Sequence, residues 1–302
     1  MALSLASWVP LILLLTLIQV EGDATIGANV IRLNTMDDDG PYAHHHDHHM
    51  HQHHVHDHHP SSASSSSSSS KNQTDPRLMV FFMLQDLKVG QIMSIHFPNR
   101  HISPSHLLSK HEADSIPFSV AELPNLLSLF SISQGSPRAK AMESTLEECE
   151  SKPIKGETKR CATSLESVHE FAQDIFGSNT RVKTLTTTHL KNPPSGLLQN
   201  YKVIAIPENI PSPKLVACHT LPYPYAVFYC HSQEGENKVF MVSLEGEDGD
   251  VIEALSVCHM DTSQWNRNHA SFSVLGVEPG TTSVCHFFPS DHFVMIPSFA
   301  TM

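Results

Sequence analysis

Four Cys-His dipeptides fall in the last third of this 302-residue chain: Cys218-His219, Cys230-His231, Cys258-His259 and Cys285-His286, with 10, 26 and 25 residues between them. They use four of the six cysteines. A single such pair would read as a structural cysteine beside a packed histidine; four of four reads as a site. In an oxidising compartment the thiols close into disulfides and imidazole nitrogen remains as the ligand. Imidazole-rich sites with few carboxylates suit Cu(II) best among common divalent ions, with Zn(II) close behind. The chemistry on offer is therefore metal binding and, with copper, one-electron oxidation. His219, His231, His259 and His286 are the candidate ligands.

Adjacent residues serve this purpose only on extended backbone. Successive side chains of a strand point to opposite faces, so each pair sends sulfur one way and imidazole the other. Four sulfurs can then build two disulfides on one side, with three connectivities open, while up to four imidazoles gather on the other. A Cys-x-x-Cys zinc site works differently, because its spacing puts both sulfurs on one ion. His269 and His292 lie in the same region and are candidate secondary ligands.

The elements that must hold these pairs are legible in outline. Residues 78–84 restart the hydrophobic signal, and Ile92, Met93, Ile95 and Phe97 suggest an extended arm. Leu123-Pro124 precedes a short helix through Phe130. Ser136-Pro137 supplies a cap and a first-turn proline for a helix with Ala139, Met142, Leu146 and Cys149 on one face. A second helix is expected to open at Thr163, with Glu166 completing a capping box, Leu165, Val168, Ala172, Ile175 and Phe176 buried, and Gly177 as its stop. Cys149 and Cys161 flank the link between these helices and are expected to pair with each other. Beyond Asn200 the pattern predicts strands over 201–206, 214–221, 226–231, 238–244, 251–259, 270–274, 283–288 and 292–296. The expected fold is α+β: an N-terminal arm and helices, then a mostly antiparallel β-sheet assembly braced by disulfides.

Upstream, residues 9–18 form an apolar run of ten, too short to span a bilayer but suited to a signal peptide over 1–22, with Val20 and Gly22 before the cut. Residues 23–77 read as a spacer without a core: eleven histidines in 44–59, nine serines in 61–70, and one glycosylation sequon at Asn72. The histidine tract can bind Cu(II), Ni(II) or Zn(II), either as a reservoir or as a pH-responsive solubilising segment. The domain is assigned to 78–302. The formal charge of −12 argues against nucleic acid as a partner, and no later segment is apolar enough to cross a membrane. Charging all 23 histidines would bring that charge to +11, so the chain should respond strongly to pH.

The spacing of the four pairs resembles the BURP domain of plant secretory proteins. The similarity extends to Phe81-Phe82, Ile116-Pro117-Phe118-Ser119, Cys161-Ala162-Thr163-Ser164-Leu165-Glu166, Tyr223-Pro224-Tyr225-Ala226-Val227, Cys258-His259-Met260-Asp261-Thr262-Ser263 with Trp265, and Asp291-His292, over roughly 78–297. One departure is Met295, where the family usually has tryptophan. The resemblance implies a disulfide-bonded domain whose Cys-His histidines hold copper. Some members are copper-dependent cyclases that crosslink a Tyr or Trp side chain of a peptide, and others are associated with seeds, stress or the cell wall. Two readings follow. In the first, this chain is a secreted oxidative crosslinking protein with Asp261, Thr262 and Trp265 lining the site. In the second it is a non-enzymatic wall or storage-compartment protein. The expected location is the secretory pathway, ending at the cell wall, apoplast or vacuole, and the expected partner is a peptide or wall polymer. Tyr42 is the one Tyr or Trp between the leader and the domain, unrepeated and two residues after Gly40, so a self-encoded substrate is not expected.

Overall fold

The computed structural model describes residues 79–98, 106–191 and 195–298. The proposed leader, the spacer, Tyr42 and Asn72 lie outside them. The chain runs β1 (Phe81–Phe82), β2 (Ile92–His96), α1 (Lys110–Asp114), α2 (Leu123–Leu129), α3 (Pro137–Glu150), β3 (Glu157–Ala162), α4 (Leu165–Phe176), β4 (Val182–Leu185), β5 (Thr188–His189), β6 (Leu198–Val203) and β7 (Glu208–Ile210). It continues through β8 (Val216–Leu221), β9 (Val227–Gln233), β10 (Asn237–Gly246), β11 (Val251–His259), α5 (Ala270–Leu275), β12 (Val284–Phe287) and β13 (Phe293–Pro297).

The strands form two sheets, antiparallel at every pairing. One has eight strands in the order β1-β12-β11-β10-β6-β2, with β5 on β11 and β7 on β10. The other has five, in the order β3-β9-β8-β13-β4. Their facing surfaces share one core: Ala217, Val294 and Ile296 from the smaller sheet meet Val239, Leu255 and Val257 from the larger. The smaller sheet buries its other face under α4, against Val168, Phe171 and Ala172. The larger sheet's other face holds Phe82, Phe97, Tyr201 and Phe287. This period-two partition lets one dipeptide serve two layers.

All six cysteines are paired: Cys149–Cys161, Cys218–Cys230 and Cys258–Cys285. The first ties the end of α3 to β3, as its position between the helices predicted. The other two bridge directly opposite residues of neighbouring strands, Cys218 on β8 to Cys230 on β9 and Cys258 on β11 to Cys285 on β12.

Several expectations change in detail. The second helix is capped by Ser164 rather than Thr163: the Ser164 hydroxyl accepts from the Ser167 N–H, and Ser167 completes the box in place of Glu166. That start turns Leu165 out of the buried stripe, leaving it 39% exposed. Residues 270–274 are helical, not extended. Ala-Ser-Phe-Ser-Val alternates like a strand, but His269 caps the N-terminus and Gly276, at φ 66°, supplies the left-handed stop. Strand β3 was not foreseen, because Glu-Thr-Lys-Arg-Cys-Ala is a polar edge strand that pairs only with β9. Met295 is buried in the core beneath α4, on the face away from the facing sheets. The departure from tryptophan is therefore a packing change.

Candidate metal centre

Strand parity places the four histidines. Cys218 and Cys230 lie in the core under α4, so His219 and His231 face the other sheet. Cys258 and Cys285 lie in the outer core of the larger sheet, so His259 and His286 face back. Within each sheet the two imidazoles are diagonal neighbours, because His219 is directly opposite Tyr229 and His259 directly opposite Val284.

The rings close into a quadrilateral. Centroids are 5.5 Å apart for His219–His231, 6.4 Å for His231–His259, 5.6 Å for His259–His286 and 5.5 Å for His286–His219. Two imidazoles on one ion, each ~2 Å away through nitrogen, have centroids roughly 4.5–6.3 Å apart depending on the angle between them. The observed sides are close to that span. Among the described residues, as they stand, no three His, Cys, Asp or Glu side chains form a group that could hold a metal ion. Backbone register fixes where the rings sit, and centroid distances do not report where the nitrogens point.

The surroundings keep three of the four rings uncharged. Burial, and then the neighbouring imidazoles, push His219 and His259 well below the usual histidine range, and the same causes bring His286 to about 3. The site therefore presents neutral nitrogen, the form that binds metal. Phe288 stacks on both His219 and His286, with centroids at 4.9 and 4.7 Å. Trp265 packs edge-on against His259 at 4.9 Å and beside His269 at 4.7 Å.

Polar partners stand behind the rings. Nδ1 of His259 lies 2.8 Å from Oδ1 of Asn237. Nδ1 of His231 is 3.1 Å from Oε1 of Glu157, an ion-pair distance at an angle too oblique for a well-aligned hydrogen bond. Burial works to raise the Glu157 carboxyl, but His231, the Ile154 N–H and the Tyr229 hydroxyl together hold it below its ordinary range. Nδ1 of His219 is 3.2 Å from Nδ1 of His292, a fifth ring beside the four.

The proposed site residues fare differently. Trp265 touches the cluster. Asp261 is exposed and accepts the Ser263 N–H, which shapes its own turn. Thr262 is buried, accepts the Gly280 N–H and donates to the Thr282 carbonyl, tying two loops together. Neither of these interactions involves the four rings. Glu157 and Asn237 escaped sequence reasoning. Only the register Lys159↔His231 and Asn237↔His259 brings them close, and that register is a property of the sheets. His292 lies in the same C-terminal region as the pairs, which makes it only a secondary candidate in sequence.

A comparison with protein families matches residues 80–297 to the BURP domain. Among curated proteins, the chain is 44% identical over 229 residues to BURP domain-containing protein BNM2A of Brassica napus, covering 74% of this chain and 80% of that protein. It is 41% identical over 227 residues to BURP domain protein USPL1 of Arabidopsis thaliana, covering 74% and 81%. It is also 41% identical over 217 residues to Protein RAFTIN 1B of Triticum aestivum, covering 71% and 59%.

Proposed function

The chain belongs to the BURP-domain family, and on that premise we propose that it binds copper through His219, His231, His259 and His286 and oxidatively crosslinks Tyr or Trp side chains of a peptide. The observation that carries the reading is the closed quadrilateral of imidazoles, with every neighbouring thiol locked in a disulfide. The donor set fits: four borderline nitrogens and no free thiolate favour Cu(II) over harder ions. Copper, when bound, would supply one-electron oxidation, with dioxygen as the terminal acceptor of the two electrons and two protons lost per crosslink.

The chain's own residues do the rest. The disulfides hold each pair of strands in register behind the imidazoles. Phe288 packs against one ring from each sheet and keeps water from the inner side. Trp265, partly exposed beside His259, offers a flat apolar surface for an aromatic substrate side chain. The substrate is a separate peptide, because Tyr42 lacks the surroundings of a crosslinking core. A secretory route fits three disulfides, and the destination proposed is the cell wall, apoplast or vacuole, with Asn72 glycosylated on the way.

The second reading is a non-enzymatic wall or storage protein whose histidine-rich tract at 44–59 binds metal. It is favoured by the absence, among the described residues, of a group of three His, Cys, Asp or Glu side chains that could hold a metal ion. Loading the purified, oxidised protein with Cu(II) and supplying a Tyr- or Trp-containing peptide separates the two. Stoichiometric copper in the domain and a two-hydrogen mass loss on the peptide support the first. Full copper loading with no mass loss supports the second, and absence of copper from a protein lacking 44–59 removes the metal centre altogether.

A further inference from the structure

Each sheet supplies the cluster with one ring whose outer nitrogen faces a hydrogen-bond acceptor that has little freedom to turn. The Asn237 amide is oriented by its own donors: Nδ2 lies 3.0 Å from the Gln233 carbonyl and 3.4 Å from that of Gly235. That leaves Oδ1, which can only accept, 2.8 Å from Nδ1 of His259. The proton between them must belong to the imidazole. In the other sheet Glu157 is fixed from both sides. Its Oε2 accepts the Ile154 N–H at 3.0 Å, and its Oε1 accepts the Tyr229 hydroxyl at 3.0 Å. The same Oε1 faces Nδ1 of His231 at 3.1 Å, too obliquely for a well-aligned hydrogen bond, so there it is the carboxylate charge that favours the proton on Nδ1.

We infer that Glu157 and Asn237 are positioning residues that hold the proton of His231 and of His259 on Nδ1, so that both rings present Nε2 as the metal-binding nitrogen. A neutral imidazole has one donor and one acceptor nitrogen, and the hydrogen bond made by one decides which remains for a ligand. The pairing is unequal: one partner is a carboxylate, which strengthens the basicity of the opposite nitrogen, and the other is a neutral amide. His219 differs again, since its Nδ1 faces the Nδ1 of His292 and only one of those two nitrogens can carry a proton when both rings are neutral.

The metal-binding role of the two rings is taken from the proposed function, but the tautomers can be read without metal. Long-range ¹⁵N–¹H correlation on ¹⁵N-histidine-labelled, metal-free protein should show His231 and His259 protonated on Nδ1. Asn237→Ala should release His259 to a mixture of tautomers, and Asn237→Asp, which keeps an acceptor, should restore the single form. Glu157→Ala, which removes the acceptor, should release His231 and lower copper affinity by about 10- to 100-fold, the usual effect of losing such a partner. A proton on Nε2 of either ring in the unmodified protein overturns the inference, as do tautomers unmoved in folded variants. If the variants fail to fold, the unmodified protein still decides. Failure to bind copper would defeat the proposed metal centre and leave the tautomer result standing.

Discussion

The β8–β9 pair of the smaller sheet and the β11–β12 pair of the larger one are built on one plan. Each has a disulfide between directly opposite cysteines and two diagonal imidazoles on the reverse face. They differ in what surrounds that plan. The first is a hairpin whose cysteines are 12 residues apart, and its His231 is backed by a carboxylate. The second spans 27 residues, carries Trp265 and α5 in its connection, and backs the 3%-exposed His259 with an amide. The contrast teaches that register alone gathers the rings, while the environment of each half sets their individual chemistry.

Four experiments break or sharpen this contrast. Phe288 joins the halves by stacking on one ring from each, and it is fully buried. Phe288→Ala should cost about 3–5 kcal/mol in urea unfolding and weaken copper binding together with stability. Removing the disulfides should separate the halves: Cys258→Ala with Cys285→Ala is expected to cost about 3.5 kcal/mol, and Cys218→Ala with Cys230→Ala about 2.8, because the entropic gain grows with the logarithm of loop length. Equal losses would show that loop length does not govern either bridge.

The third experiment uses pH. His219, His259 and His286 resist protonation in the folded state, whereas an unfolded imidazole takes a proton near ~6.5. The unfolded chain therefore binds more protons below that pH. Stability of the metal-free protein is complete above ~6.5 and falls as pH drops toward about 3, where His286 titrates, by up to about 1.4 kcal/mol per unit per ring. Replacing His259 and His286 with Gln should flatten the slope more than replacing His219 alone. The smallest effect concerns the far face. Met295→Leu beneath α4 should cost about 1 kcal/mol and leave copper affinity unchanged, since its layer holds the sulfurs and not the rings.

Much of this site was legible in the dipeptides. Alternation along a strand told that sulfur and imidazole must part, and the link between two helices told that Cys149 meets Cys161. The sequence could not say which strands lie side by side. His231 and Glu157 are 74 residues apart and meet only because β3 adds to the edge of β9. Asp261 and Thr262 attracted attention by lying next to His259 in sequence, yet the chain turns immediately after β11 and spends them on the loop. Helix α5 was misread because its apolar residues alternate, and the capping geometry that overrides alternation involves His269, not one of the usual cap residues.

None of the three disulfides crosses from one sheet to the other. Each half can therefore be oxidised and locked on its own before the two meet, and the four imidazoles come together only at docking. The reverse also holds. A force or solvent that parts the sandwich scatters the four rings without cutting a covalent link, while each disulfide still holds its own pair of strands.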